Sequence, residues 1–161
     1  MARYLVSVIG WLAFAAYLVL GAPGCARCDD FTVRGFAPAE VDVLRAAADA
    51  WYDASDGRLS VSLDGGSSTI DLVTYDLVHV TADPSDRILG LSRVHWDGTT
   101  AIELRSERGT DAWLARLYVV ALHELGHHFG CGEFFGKGRV MSIRIEDAAT
   151  WPTAADLECA K

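Results

Sequence analysis

The segment DAWLARLYVVALHELGHHFGCGE, Asp111 to Glu133, constrains this chain more than any other. Trp113, Leu114, Leu117, Tyr118, Ala121, Leu122, Leu125 and Phe129 recur at the spacing of a helix and give it apolar faces over most of its circumference. Thr110 or Asp111 is suited to cap its start, the helix running from there to Phe129, and Gly130 is a natural terminator. A helix this apolar belongs at the centre of a domain, largely buried. It nevertheless carries His123, Glu124 and His127 in its last turns, and polar groups in such a place are costly without partners. The fold has to be built around a helix whose end holds a chemical site.

His123 and His127 are four residues apart, so both imidazoles leave one face, about 6 Å apart along the axis. Two ring nitrogens can then converge on one ion. Glu124 points about 100° further round, too far to be an equal ligand but near enough to reach a water on that ion. HExxH on a helix is the pattern of a zinc site with glutamate as general base. Two histidines leave Zn2+ short of the three protein ligands of a catalytic site. Gly130 permits a left-handed turn that doubles the chain back and brings Glu133 toward the ion. Glu146 is the alternative third ligand, but a site built on it leaves Gly130, Glu133 and Met141 without roles. His128 leaves another face and is expected on the surface or behind a ligand, not on the metal. His79 and His95 fall in strand-like segments and are read as structural.

The chain has 161 residues, enough for one domain with one core. From Ala37, APAEVDVLRAAADAWYDASDG sets Val41, Leu44, Ala48, Trp51 and Tyr52 at helical spacing, with Pro38 in the first turn and a stop before Ser55 to Gly57. RLSVSL alternates at Leu59, Val61 and Leu63, and STIDLVTYDLVHV, ILGLSRVHW and TTAIELR continue the strand character, with a turn at Asp97-Gly98. A strand, a helix, several more strands and then a long helix predict an α+β fold, a twisted mixed β-sheet packed with helices. There is no internal repeat. The net charge of −8 argues against a nucleic-acid partner, which would need a basic face. The acidic turns DASDG and DPSDR are explained by turn chemistry and are not read as calcium sites.

Residues 1–24 have the layout of an export signal: Arg3, an apolar run from Leu5 to Leu20, then Ala22-Pro23-Gly24. The run is somewhat shorter than the roughly 20 residues a spanning helix prefers, so cleavage near Cys25 is the expectation. A retained N-terminal anchor, or a lipid on Cys25, is the alternative. Either way the location is secreted or extracytoplasmic, with any membrane tether confined to that end. In an exported chain Cys25, Cys28, Cys131 and Cys159 are read as disulfides. Cys131 with Cys159 is preferred because it ties the C-terminal segment to the loop after the histidine helix, leaving Cys25 and Cys28 to pair locally. A metal knuckle on Cys25 and Cys28 lacks a second CxxC.

His123, Glu124, His127 and Gly130, followed by Met141 in GRVMS, resemble the metzincin clan of zinc endopeptidases, with its HExxHxxGxxH pattern and methionine turn. Glu133 stands where the clan has histidine or, in some members, aspartate. Glutamate completes a two-histidine zinc site in thermolysin-type enzymes; an anionic ligand is expected to weaken zinc as a Lewis acid, slowing water activation or shifting the pH optimum. The resemblance, matrixin-like in its order of elements, implies that residues 25–161 form one metzincin-like catalytic domain with an active-site helix, a C-terminal helix in TAADLECA, and ILGLSRV as the edge strand that pairs with an extended substrate. It implies Zn2+ held by His123, His127 and Glu133, Glu124 as general base, and Met141 as a hydrophobic floor. It further implies a monomeric exported endopeptidase with protein or peptide substrates. No tyrosine lies two residues past Met141, so that auxiliary group of some members is not expected. ARCDD is similar to the cysteine switch of matrixin precursors over two residues only, and a disulfide is the preferred reading. The alternative function is a noncatalytic module that binds peptides or holds a structural zinc; Glu124 argues against it, because such a site needs no base.

Overall fold

The computed structural model describes residues 27–77 and 88–160. The export segment, Cys25, His79 and DPSDR lie outside the described residues. In chain order come β1 (Arg27–Arg34), α1 (Pro38–Ala54), β2 (Leu59–Ser62), β3 (Ser68–Val73), β4 (Gly90–Val94), β5 (Thr100–Arg105), α2 (Trp113–His128), a 3-10 turn (Ile145–Asp147) and α3 (Ala154–Leu157). The strands form one mixed sheet in the order β2-β1-β3-β5-β4. β1 pairs in parallel with β2 and β3, and β3 with β5, while β4 runs antiparallel along β5. The class is α+β, as the sequence predicts.

The antiparallel edge follows from a short connection. His95 N donates to Thr99 O at 2.8 Å and Gly98 takes φ +85°, a tight hairpin that parallel strands cannot use. Alternation then sorts the faces. Thr100, Ile102 and Leu104 of β5 are buried beneath the helices, whereas Glu103 and Arg105 face outward and pair with Arg93 and Asp76. β4 follows the same rule, so Gly90 and Ser92 lie on the helix side. Under the helices the core is built on Phe31, Leu44, Trp51, Ile70, Leu117, Leu122 and Phe129, each at most 2% exposed. The Trp51 indole N–H donates to Leu122 O at 2.9 Å and fixes α1 against α2.

Several boundaries differ from the sequence reading. RCDDFTVR, read there only for its cysteine, is β1, and its register with two neighbours places it inside the sheet. The last ladder bond of β3 runs from Ser106 N to the Val73 carbonyl at 2.8 Å, after which Asp76 turns outward to Arg105; among the described residues beyond it, Leu77 alone makes a bridge, to Ile88. α2 begins at Trp113, not at Thr110 or Asp111, and its N-cap position, Ala112, has no side-chain cap. Thr110 Oγ1 is engaged with Glu107 O at 3.0 Å instead. The start of α2 is held from α1, where Glu40 accepts the Trp113 indole N–H at 2.8 Å. The C-terminal helix is four residues long, shorter than TAADLECA. Among the described residues no helix is long and apolar enough to cross a membrane.

Candidate metal centre

α2 ends by a sequence-encoded device. Gly130 adopts φ +96°, its N–H meets His127 O at 2.9 Å, and Cys131 N–H meets Gly126 O at 2.9 Å. Those two bonds are a Schellman closure with glycine in the left-handed position. The chain reverses over the last turn, and Cys131 O is left facing His127, whose Nδ1 lies 2.9 Å from it. His123 Nδ1 lies 3.0 Å from Val140 O. A carbonyl only accepts, so each Nδ1 carries the proton and each Nε2 presents its lone pair.

Both Nε2 atoms face Glu133. His123 Nε2 is 3.4 Å from Glu133 Oε2, and His127 Nε2 is 3.3 Å from Glu133 Oε1. The three ligand atoms lie within 4.8 Å of one another. A tetrahedral zinc with ligands at about 2.1 Å spaces them roughly 3.4 Å apart, so the donor set fits with little movement. Two nitrogens and one oxygen also suit zinc chemically. Glu133 is 45% exposed and the histidines less so, which puts the group at the surface of the described residues. Without an ion, protonated imidazoles of His123 and His127 would donate to Glu133, and that interaction holds its carboxyl well below the usual carboxylate range. Burial lowers the His127 pKa, but Glu133, Glu124 and the Cys131 carbonyl outweigh it and raise the net value.

Glu124 is set apart from this triad. It is 4% exposed, and its Oε2 has no hydrogen-bond partner among the described residues. Burial raises its pKa, opposed by the two histidines. It lies against the first residue of the edge strand: a Cβ added at Gly90 would come within 2.4 Å of Glu124 Oε1. The glycine in ILGLSRV therefore makes room for this carboxylate, a signal available as a glycine inside a strand pattern but not read from the sequence.

Met141 is 2% exposed and lies under the helix, where a Cβ at Gly126 would meet its sulfur at 2.2 Å. Its loop is pinned beside Glu133, with Phe134 N donating to Met141 O at 2.7 Å and Ile143 N to Phe134 O at 3.2 Å. Cys131 and Cys159 are bonded, anchoring the segment between His127 and Glu133 to the C-terminus. Cys28 is also disulfide-bonded, which removes it as a free thiol for a cysteine switch.

His128 is not on the surface. One residue beyond His127, it turns about 100° toward the sheet and is 1% exposed, with Nδ1 2.9 Å from Thr100 Oγ1 and Nε2 2.9 Å from Asp29 Oδ2. His95 sits exposed in the β4–β5 hairpin, beyond the strand end rather than in it. Glu146 is exposed on the 3-10 turn and is not among the converging ligands.

No protein-family model matches the chain, and no curated protein matches it in sequence. Among solved structures it is similar to archaemetzincin from Methanopyrus kandleri, at 15% identity and a TM-score of 0.60, over 86% of this chain and 96% of that one. That likeness shows the fold to be metzincin-like.

Proposed function

We propose that this chain is a zinc-dependent peptidase, and more narrowly an exported endopeptidase acting on proteins or peptides. One observation carries the reading: a buried carboxylate, Glu124, whose Oε2 has no hydrogen-bond partner among the described residues, stands beside two histidines whose Nε2 lone pairs converge with Glu133. A structural metal site has no use for that carboxylate. The metzincin-like fold supports the same reading.

Zinc held by His123, His127 and Glu133 would supply Lewis acidity, making a water more acidic and polarising the scissile carbonyl. Glu124 accepts the proton of the attacking water as its oxygen bonds to the carbonyl carbon. The C–N bond then breaks, and Glu124 returns the proton to the leaving amine. Burial suits it to both roles, because a carboxyl with a raised pKa holds the proton it has taken. β4 has no strand beyond it among the described residues, so an extended peptide can add along it and run past the site in both directions, the geometry of internal cleavage. The test is digestion of casein with zinc removed and restored, fragments being identified by mass spectrometry. Internal cuts that vanish with chelation and return with zinc support the proposal; intact casein at full zinc occupancy refutes it.

A further inference from the structure

Each metal-binding histidine is oriented by a backbone carbonyl, and both carbonyls are held from the C-terminal turn. The His127 arm runs through Cys131, bonded to Cys159. The His123 arm runs through Val140, which is fully buried and pinned on both sides: its carbonyl meets His123 Nδ1 at 3.0 Å, and its N–H points to Asp156 Oδ2 at 3.4 Å. No other acceptor reaches that N–H among the described residues.

Asp156 is an unusual residue to find there. It is 1% exposed, and burying a carboxylate is costly unless several donors meet it. Oδ2 collects Thr153 N at 2.9 Å and Thr153 Oγ1 at 2.7 Å, closing the first turn of α3, and then reaches beyond its own helix to Val140. Its carbonyl oxygen lies 3.4 Å and 2.9 Å from the sulfurs of Cys131 and Cys159. Capping of this four-residue helix accounts for the contacts between Asp156 and Thr153. The third contact, to the loop that carries the carbonyl partner of a ligand, is left unexplained by capping.

We propose that Asp156 is a positioning residue for the metal centre: through Val140 it fixes the tautomer and ring angle of His123, so that α3 supports the zinc ligands from behind. The proposal rests on the metal-site reading above. Groups that take the N–H of a ligating histidine directly typically change affinity 10- to 100-fold when removed; Asp156 acts one contact further out, through Val140, which puts its effect at the lower end of that range.

The test is competition titration of Zn2+ against a chromophoric chelator, with the visible spectrum of the Co2+-loaded protein as a reading of ligand geometry. Asp156→Ala should weaken zinc by about 10-fold and alter the cobalt spectrum. Asp156→Asn keeps an oxygen for Val140 and should stay near the parent in both. Thr153→Ala removes the cap but not the Val140 contact; it should lower the Tm and leave zinc affinity in place. If Asp156→Ala does not fold, Asp156→Ser, too short to reach Val140, takes its place with the same expected weakening. Parent-like zinc affinity in the alanine or serine variant overturns the proposal, as does equal weakening in Thr153→Ala. Failure of the parent itself to bind zinc overturns the metal-site reading, and the positioning role with it.

Discussion

Glu133 and Gly90 are the residues on which the site depends most visibly. Glu133→Ala leaves two histidines and should lower zinc affinity by more than about 100-fold, beyond what loss of an outer partner costs; a zinc titration that barely shifts would take Glu133 out of the ligand set. Gly90→Ala tests the neighbouring carboxylate, since its Cβ would press on Glu124 Oε1 and Cγ at 2.4 and 2.7 Å. Glu124 must then move, at a cost of about 1–3 kcal/mol in stability and most of the peptidase activity, read by thermal denaturation and casein digestion; a variant with parental activity would show that Glu124 has no fixed place against β4. The ligand candidates were legible at this scale because HExxH encodes a direction on a helix. His128 was not: helical spacing shows that it faces away from His127, but not that the sheet, bringing Thr100 and Asp29, lies on that side.

Between elements, the contacts that hold α2 are long-range and left little trace in local pattern. Glu40 of α1 takes the Arg108 guanidinium, with Nε at 2.6 Å, the Trp113 indole N–H at 2.8 Å and Ala37 N at 2.7 Å. The Arg108 hydrogen bonds, aided by those of Ala37 and Trp113 and opposed by burial, hold its pKa at about 2 against an ordinary 4.5. A depressed folded-state pKa gives stability that is complete above the unfolded value and lost as pH falls toward the folded one. The Tm of the parent should therefore fall faster between about pH 4.5 and pH 2 than that of Glu40→Gln; parallel curves would mean that the carboxylate carries no such linkage. Local reading placed a cap at Thr110 or Asp111 because nothing in those residues announces that Trp113 is anchored from the opposite helix. The Cys131–Cys159 bond works between elements too. Reducing it in the folded protein should cost about 3–4 kcal/mol of stability and weaken zinc binding, because the carbonyl facing His127 loses its tether; unchanged affinity after confirmed reduction would separate the disulfide from the site.

At the scale of the molecule, the antiparallel strand of a mixed sheet lies at its edge, among the described residues, beside the end of the helix that carries the histidines. Periodicity carried most of that architecture: the helix from Pro38, the four short strands after it and the long helix all lie where alternation and helical spacing put them. A leading strand was expected from the order of elements but not located, because RCDDFTVR draws its strand character from parallel neighbours on both sides, not from its own composition. The truncated β3 was missed because the side-chain pattern runs on past Val73, whereas the strand ends where its partner β5 ends, at Arg105. Closing the site on an ion joins α2, the Glu133 loop and, through Val140, the C-terminal turn, so metal should raise the stability of the whole domain. The central claim is that this geometry cuts peptide bonds with Glu124 as the base. It is tested most directly by comparing casein cleavage by the parent and by Glu124→Ala at equal, measured zinc occupancy. The account predicts full zinc binding in both and a loss of at least about 100-fold in the variant's rate, the lower range for removing a general base. Equal cleavage by the two proteins would contradict it.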